Sequence, residues 1–210
     1  MEQTDLFGNI INKKTPNINT GLIRIENGEY IFLPHFFNKE ESNFFFVNLK
    51  NKIVWKQESM NMYGKQINFP RLTAWYGDND KPYSFSGIKL RPQPWNEELL
   101  EIKNKIEPKS LVNFNSVLLN RYRNGNDSIS WHTDAEKELG RNPLIASVNF
   151  GATRKFQLKH IYTNEKLEIE LTHGSLLIMK GELQHFWKHQ VPKTSQKVNE
   201  RINLTFRIIK

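Results

Sequence analysis

The second half of the chain is a series of short segments in which apolar and polar residues alternate. Turn signals such as Thr163-Asn164 and His173-Gly174 separate the segments, and alternation with a period of two is typical of strands. Several short strands at this spacing favour a β-sandwich or barrel. We therefore predict a mainly β fold with flanking helices (α+β), arranged as a jelly roll. The predicted strands cover Ile145–Phe150, Lys155–Lys159, Lys166–Leu171, Ser175–Met179 and Arg201–Ile209.

Two helices are predicted in the first half of the chain. Asn38 can cap a helix together with Glu41, three residues further on. We expect four apolar residues of this helix in the core: Phe44, Phe45, Val47 and Leu49. A second helix begins near Asn96 and presents apolar residues at helical spacing, namely Leu99, Ile102 and Ile106. Residues 56–94 between the helices are rich in Gly, Pro and aromatic residues and predict loops and short strands.

The length of 210 residues and the hydrophobic content of 38% fit one globular domain with its own core. We expect residues 1–20, which are polar and show no hydrophobic period, to form a flexible tail, and residues 21–210 to form a single domain. No secretory signal or membrane-spanning run is apparent. These features predict a monomeric intracellular protein without membrane association, cytoplasmic and nucleoid-associated in a bacterium or nuclear in a eukaryote.

The absence of cysteine excludes disulfides, thiolate metal sites and cysteine nucleophiles. Any metal must therefore be held by nitrogen and oxygen ligands. The formal net charge of +8 suits a polyanionic partner such as nucleic acid. A general lysine bias of the source proteome would give the same charge.

A His-x-Asp pair is the first candidate metal motif. His132 and Asp134 can approach one ion together, because residues i and i+2 of a strand share a face. Two histidines and one carboxylate leave open coordination positions, which is the arrangement of oxygen-activating non-haem Fe(II). Spacing alone leaves the third ligand open between His185 and His189, which could face the same way from a strand. We expect the remaining histidines on the surface or in loops: His35, His160 and His173.

The last predicted strand has apolar residues on one face and a polar row on the other. The polar row consists of Arg201, Asn203, Thr205 and Arg207. One interpretation is an amphipathic strand whose polar face lies in water. The other is that the two arginines, roughly 20 Å apart along the strand, lean inward and hold the two ends of a short dicarboxylate. Asn120 and Tyr122 could add neutral hydrogen bonds, and the nearby metal motif favours this second interpretation.

Several ordered blocks resemble the AlkB family of Fe(II)/2-oxoglutarate-dependent nucleic-acid dealkylases, in particular its DNA-acting branch. The resemblance extends from about Pro70 to Ile208. It is carried by Pro70–Asp78, Pro82–Gly87, Asn120–Asp134, Ser147–Ala152, His173–Leu177 and Arg201–Arg207. The family fold is a double-stranded β-helix, a jelly roll, which agrees with the strand pattern.

The resemblance implies an iron site and a cosubstrate site. Its Fe(II) ligands would be His132, Asp134 and His189, since the family's third ligand lies two residues after a tryptophan and shortly before a proline. This chain reads Trp187-Lys-His189-Gln-Val-Pro192 there, and His185 is not a ligand in that pattern. Arg201 would meet the distal carboxylate of 2-oxoglutarate. Asn120 and Tyr122 would assist Arg201, and Thr205 and Arg207 would lie near the end that chelates iron. Asn203 would also belong to the cosubstrate site.

The resemblance also implies a substrate-recognition region at about residues 55–94. Tyr83 and Phe85, on either side of Ser84, resemble aromatic residues that sandwich a flipped base, with core packing as the alternative. Glu136 occupies an acidic position beyond the aspartate ligand, where it could read a base amine. A finger that enters the base stack would comprise Tyr63, as the inserted residue, with Gly64 and Lys65.

The implied activity is repair of alkylated DNA with consumption of O2 and 2-oxoglutarate. Methyl groups of N1-methyladenine and N3-methylcytosine would be removed oxidatively, with release of formaldehyde, succinate and CO2. The alternatives are an RNA demethylase of the same mechanism, an oxygenase of protein side chains, and a catalytically inactive nucleic-acid-binding module. The basic residues expected to contact phosphates are Lys65, Arg71, Arg154, Lys155, Lys188, Lys193 and Lys197.

Overall fold

The computed structural model describes residues 21–62, 64–78, 83–85, 88–90 and 92–210, with the side chains of 62, 83–85 and 88–90 left out. The predicted tail, residues 1–20, lies outside this part of the chain. The helices are α1 (Lys39–Lys52), α2 (Glu97–Ser110) and α3 (Leu183–Phe186). The strands are β1 (Leu22–Ile25), β2 (Gly28–Leu33), β3 (Ser59–Met62), β4 (Lys65–Asn68), β5 (Leu72–Gly77), β6 (Tyr83–Phe85), β7 (Ile88–Leu90), β8 (Ser116–Tyr122), β9 (Ile129–His132), β10 (Ile145–Gly151), β11 (Arg154–His160), β12 (Lys166–Leu171), β13 (Ser175–Lys180), β14 (Trp187–Val191) and β15 (Arg201–Arg207). No described helix is long and apolar enough to cross a bilayer.

Two antiparallel sheets form the body of the fold. The major sheet has seven strands in the order β1-β2-β13-β10-β15-β8-β5, and the minor sheet has four in the order β12-β11-β14-β9. Residues of both sheets share one apolar cluster, so the sheets pack face to face. The predicted jelly roll is confirmed. Two separate hairpins, β3–β4 and β6–β7, belong to the region between the first two helices.

The central strand β15 separates two layers of the interior. Ile202, Leu204 and Phe206 are fully buried in the cluster between the major sheet and the long helices. The alternate residues, beginning with Arg201, line a cavity between the two sheets. The interpretation that this polar face lies in water is wrong, because both faces of β15 are covered.

Both predicted helix starts are confirmed by their caps. The Asn38 side chain accepts a hydrogen bond from the Glu41 backbone N–H at 2.8 Å, and the Glu41 carboxylate accepts from the Asn38 backbone N–H at 2.9 Å. Asn96 caps α2 in the same way, through the backbone N–H of Leu99. The predicted apolar residues of α2 are all fully buried: Leu99, Ile102 and Ile106.

The core prediction for α1 holds for only two of its four residues. Phe45 and Leu49, four residues apart, are buried. Phe44 and Val47 are 52% and 54% exposed. They lie on the other side of the helix, because a helix of 3.6 residues per turn can present only one stripe to a sheet.

Candidate metal and dicarboxylate site

The predicted metal ligands come together where β9 and β14 meet. His132 is the last residue of β9 and is the register partner of His189 on β14. The centroids of their rings lie 4.3 Å apart. His132, His189 and Asp134 each offer one ligand atom, and these three atoms lie within 4.8 Å of one another. His185 is exposed on α3, where its Nε2 accepts from a backbone N–H. The interpretation that His185 and His189 project from one strand is wrong, because strand β14 begins only at Trp187.

Hydrogen bonds and burial prepare this cluster for metal binding. His132 Nδ1 lies 2.8 Å from the Ser130 carbonyl oxygen, so Nδ1–H donates there and Nε2 is left to bind a metal. Burial lowers the pKa of His189 to about 3, and the Asp134 carboxylate only partly opposes this shift. Burial raises the pKa of Asp134, but the charge of Arg207 and the hydrogen bond that it donates outweigh burial and hold the pKa below its usual range. The neutral His189, the Asp134 carboxylate and Nε2 of His132 provide the two-histidine, one-carboxylate donor set that suits Fe(II).

Two buried side chains fix the position of Asp134. Arg207 Nη2 donates to Asp134 Oδ1 at 2.6 Å. Gln184, which is 1% exposed, accepts from the Asp134 backbone N–H at 2.9 Å. Asp134 Oδ2 remains directed toward His189 Nε2, 3.8 Å away. Sequence reasoning missed Gln184, because no motif marks a glutamine that acts on a residue 50 positions earlier.

The cavity between the sheets brings the metal cluster and the polar row together. It has about 490 Å³ of empty space including its open mouth. Its lining includes His132, Asp134 and His189 together with all six residues predicted to hold 2-oxoglutarate: Asn120, Tyr122, Arg201, Asn203, Thr205 and Arg207. Arg207 lies at the metal end through its bond to Asp134, and Arg201 lies six residues away along β15.

Arg201 is a buried cation with unused hydrogen-bond donors. It is 1% exposed, and its guanidinium lies over the Tyr122 ring at 4.9 Å. Nη2 donates to Asn149 Oδ1 at 2.5 Å, whereas Nε and Nη1 have no hydrogen-bond partner within the described chain. Burial lowers the pKa of Arg201 to about 10, so it remains charged at neutral pH. A carboxylate placed here would satisfy both the charge and the free donors, and the site therefore fits a dicarboxylate.

The amide and hydroxyl groups of the cavity are held by hydrogen bonds to neighbouring side chains. Asn203 Nδ2 donates to Ser147 Oγ at 2.8 Å, and Thr205 Oγ1 donates to Asn203 Oδ1 at 3.1 Å. Asn120 Oδ1 accepts from Arg71 Nε at 2.8 Å. Arg71 therefore supports the cavity wall, a role that sequence reasoning did not assign to it.

The structure describes the predicted substrate residues only in part. Glu136, two residues after Asp134, is half-buried, and its Oε2 makes no hydrogen bond within the described chain. Gly64 has a positive φ of 74° in the turn between β3 and β4, and Lys65 is exposed at the start of β4. The backbone of Tyr83, Ser84 and Phe85 forms β6. Tyr63 and the side chains of Tyr83, Ser84 and Phe85 lie outside the described residues.

Five of the seven predicted phosphate contacts are exposed: Lys65, Lys155, Lys188, Lys193 and Lys197. Arg71 and Arg154 are instead buried. Arg154 donates to the carbonyl oxygens of Asn124, Asp127 and Pro192, which ties two loops together. The surface prediction for His160 is also wrong, since it is 2% exposed and stacks on Phe186.

Comparison with known proteins gives matches along most of the chain. The family model of the 2OG-Fe(II) oxygenase superfamily matches residues 29–207. Alpha-ketoglutarate-dependent dioxygenase alkB homolog 3 of Bos taurus is 41% identical to this chain, and the match covers 90% of this chain and 68% of the relative. The Homo sapiens protein of the same name is also 41% identical, and that match covers 84% of this chain and 64% of the relative. DNA oxidative demethylase ALKBH2 of Homo sapiens is 36% identical, over 82% and 70%. The chain thus spans about two thirds of these relatives. The solved structure of OsALKBH1 matches with a TM-score of 0.60 at 16% identity, over 85% of this chain and 97% of that chain, and supports the fold alone.

Proposed function

Because the chain belongs to the AlkB family within the 2OG-Fe(II) oxygenase superfamily, we propose that it repairs DNA by oxidative removal of methyl groups from N1-methyladenine and N3-methylcytosine. It is a dioxygenase that uses Fe(II), 2-oxoglutarate and O2. The observation that carries the proposal is the joining, in one cavity, of the His132–Asp134–His189 cluster and the buried, partly unsatisfied Arg201. Formaldehyde, succinate and CO2 would be the products.

In this proposal His132, Asp134 and His189 hold the iron. Arg201 holds the distal carboxylate of 2-oxoglutarate, and Tyr122 under its guanidinium fixes the plane of that contact. Arg207 keeps Asp134 ionised and oriented. Asn120, Asn203 and Thr205 give the polar wall that keeps the dicarboxylate in one pose. Iron and 2-oxoglutarate, when bound, would allow O2 to oxidise a methyl group, which O2 alone does not do.

The proposed substrate side is the region of residues 55–94 together with Glu136. Glu136 carries a partly buried carboxyl group whose Oε2 is free to accept a hydrogen bond from a base. The β3–β4 hairpin, whose strands are separated in sequence by Tyr63 and Gly64 and whose second strand begins at Lys65, is the proposed finger that fills the gap left by a flipped base. Tyr83 and Phe85 are proposed to sandwich that base. A methylated base that carries a positive charge would be favoured by stacking between aromatic rings.

The test is a single-turnover assay started by air. The protein is incubated anaerobically with Fe(II) and 2-oxoglutarate, and then mixed with DNA or RNA oligonucleotides that carry either lesion, while base composition and succinate are followed by mass spectrometry. His189→Ala should abolish repair, whereas the matched variant His185→Ala should retain it, because His185 lies outside the cluster. Succinate without base repair would reject the nucleic-acid substrate. Repair of RNA alone would reassign the substrate, and no succinate would leave a binding module.

A further inference from the structure

The outer face of the minor sheet carries three lysines in one row across adjacent strands. Lys159 on β11 is the register partner of both Lys166 on β12 and Lys188 on β14. Directly paired residues project from the same face of a sheet. The flanking residues Leu158 and His189 are buried on the inner face, so the three lysines project outward. We call Lys166, Lys159 and Lys188 the lysine row.

The lysine row is unfavourable for the protein by itself. Like charges directly opposite each other destabilise a sheet. None of the three lysines forms an ion pair within the described chain. The carboxylate of Glu168 on the same face is already engaged, by Lys155 at 2.7 Å and by Gln157 at 2.9 Å. An anionic partner would relieve this repulsion.

The spacing of the row suits a run of phosphates. Two strand separations give a length of roughly 10 Å. A nucleic-acid strand carries one negative charge per nucleotide, so a strand laid along the row places more than one phosphate against it. A lipid surface would match the charge but would not require charges aligned in one line.

An exposed aromatic residue stands at the end of the same hairpin. Tyr162, in the connection between β11 and β12, is 73% exposed. Its ring meets Phe186 and His160 in edge-type contacts at 6.0 Å and 6.1 Å, and most of its surface remains open to solvent. Phe186 stands two residues before Lys188. Basic side chains combined with an aromatic platform bind single-stranded nucleic acid by phosphate contact and base stacking.

The row is close to the metal site in sequence but on the opposite face of the sheet. Lys188 immediately precedes His189, whose ring points inward to the metal cluster. The lysine row therefore cannot touch the reacting base. It can only hold a part of the strand that extends beyond the cavity.

We propose that the lysine row and Tyr162 form a binding surface for a single-stranded segment of the nucleic acid that flanks the target base. The choice of partner rests on the proposed function, whereas the surface itself is carried by the register of the three strands. The surface adds affinity without reading sequence, because phosphates and stacking faces are common to all nucleotides.

The first test compares two double variants that each remove two positive charges. Lys159→Gln with Lys188→Gln acts on the row. Lys39→Gln with Lys109→Gln is the control, because both residues are exposed on the helices that cover the major sheet. Binding of a labelled, unmodified single-stranded oligonucleotide is followed by fluorescence anisotropy between 50 and 200 mM salt. The row variant should flatten the slope of log K against log salt by about 1.4, or about 0.7 per lost contact. Equal slopes in the two double variants would overturn the proposal.

The second test addresses the aromatic platform. Tyr162→Ala should weaken strand binding about 5- to 150-fold, the loss of one stacked base, whereas Tyr162→Phe should retain it. No difference between these two variants would overturn the role of Tyr162. Row substitutions that weaken binding to phosphatidylserine vesicles, but not to the oligonucleotide, would overturn the choice of partner.

Failure of this proposal is distinguishable from failure of the proposed function. Succinate formation by the unsubstituted protein is measured separately on a methylated nucleoside, which is too short to reach the row. Strand binding that depends on the row without any demethylation would reject the function and keep the surface. Demethylation with equal slopes in both double variants would reject the surface and keep the function.

Discussion

Replacement of Gln184 by Met tests whether the carboxylate ligand is held in place from behind. The change removes the acceptor of the 2.9 Å hydrogen bond from the Asp134 backbone N–H and keeps a side chain of similar length. The pocket already accommodates a thioether, because Gln184 Nε2 lies 3.7 Å from Met179 Sδ. The substitution therefore removes this acceptor, together with the weak hydrogen bond from Gln184 Nε2 to Met179 Sδ, without opening a cavity.

The expected size of the effect follows from burial. Asp134 is 2% exposed, so its N–H would lose its only acceptor away from water, at a cost of about 1–3 kcal/mol. Loss of a partner that orients a metal ligand typically lowers metal affinity about 10- to 100-fold, which is about 1.4–2.7 kcal/mol. We expect the Mn(II) dissociation constant to rise within that range. The melting temperature of the metal-free protein should fall by roughly 2–12 °C, at about 2–4 °C per kcal/mol for a chain of this size.

Isothermal titration with Mn(II) under anaerobic conditions, together with thermal unfolding, measures both effects. Gln190→Met is the matched control, because the Gln190 amide donates to Gln157 at 2.7 Å on the outer face of the minor sheet, away from Asp134. Equal Mn(II) affinity in the two variants would refute the positioning role of Gln184. A fall in melting temperature without a change in affinity would reduce Gln184 to a structural residue.

Three further changes separate stability from binding. Arg201→Met removes a buried cation, so it should raise the free energy of unfolding of the ligand-free protein by about 1 kcal/mol. It should also abolish the rise in melting temperature that 2-oxoglutarate gives, and a variant that keeps this rise would contradict the prediction. Lys159→Gln should raise the free energy of unfolding in urea by about 0.2–1 kcal/mol at low salt, and the gain should vanish at high salt. Burial raises the pKa of Asp127, but hydrogen bonds from Arg123 and the charges of Arg123 and Arg154 outweigh it, so the pKa lies below its usual range. The stability that Asp127 contributes is complete above the unfolded pKa of about 3.9, and it is lost as the pH falls through the lower folded pKa. Asp127→Asn should therefore reduce the dependence of the melting temperature on pH below about pH 4.

The parts of the fold that sequence could predict are those with local causes. The caps at Asn38 and Asn96 act over three residues. In β15 apolar and polar residues alternate, and this pattern corresponds to one face in the core and one face in the cavity. Strands β1 and β2 were not predicted, because their burial pattern is mostly intermediate. β1 pairs only with β2, and β2 joins the major sheet through β13, more than 140 residues later. Phe44 and Val47 show the same limit, since only the position of the sheet decides which side of α1 is covered.

The candidate site divides in a similar way. His132 and Asp134 could be paired from spacing, because strand geometry places alternate residues together. The choice of His189 over His185 could not be made from spacing, because it depends on where α3 gives way to β14. The supporting roles of Gln184 and Arg71 were also beyond reach, because each acts across about 50 residues of chain.

The position of β15 has a consequence for the order in which the molecule can be built. Among the described elements it comes last in sequence, yet it lies between β10 and β8 near the middle of the major sheet. Until residues 201–207 are synthesised, the nascent chain holds two unpaired strand edges, which invite association with other chains. The same seven residues carry the two arginines of the cavity. A chain that ends before residue 201 therefore lacks the strand that joins β10 to β8, and it also lacks the cosubstrate site. No such shortened product is expected to show partial activity.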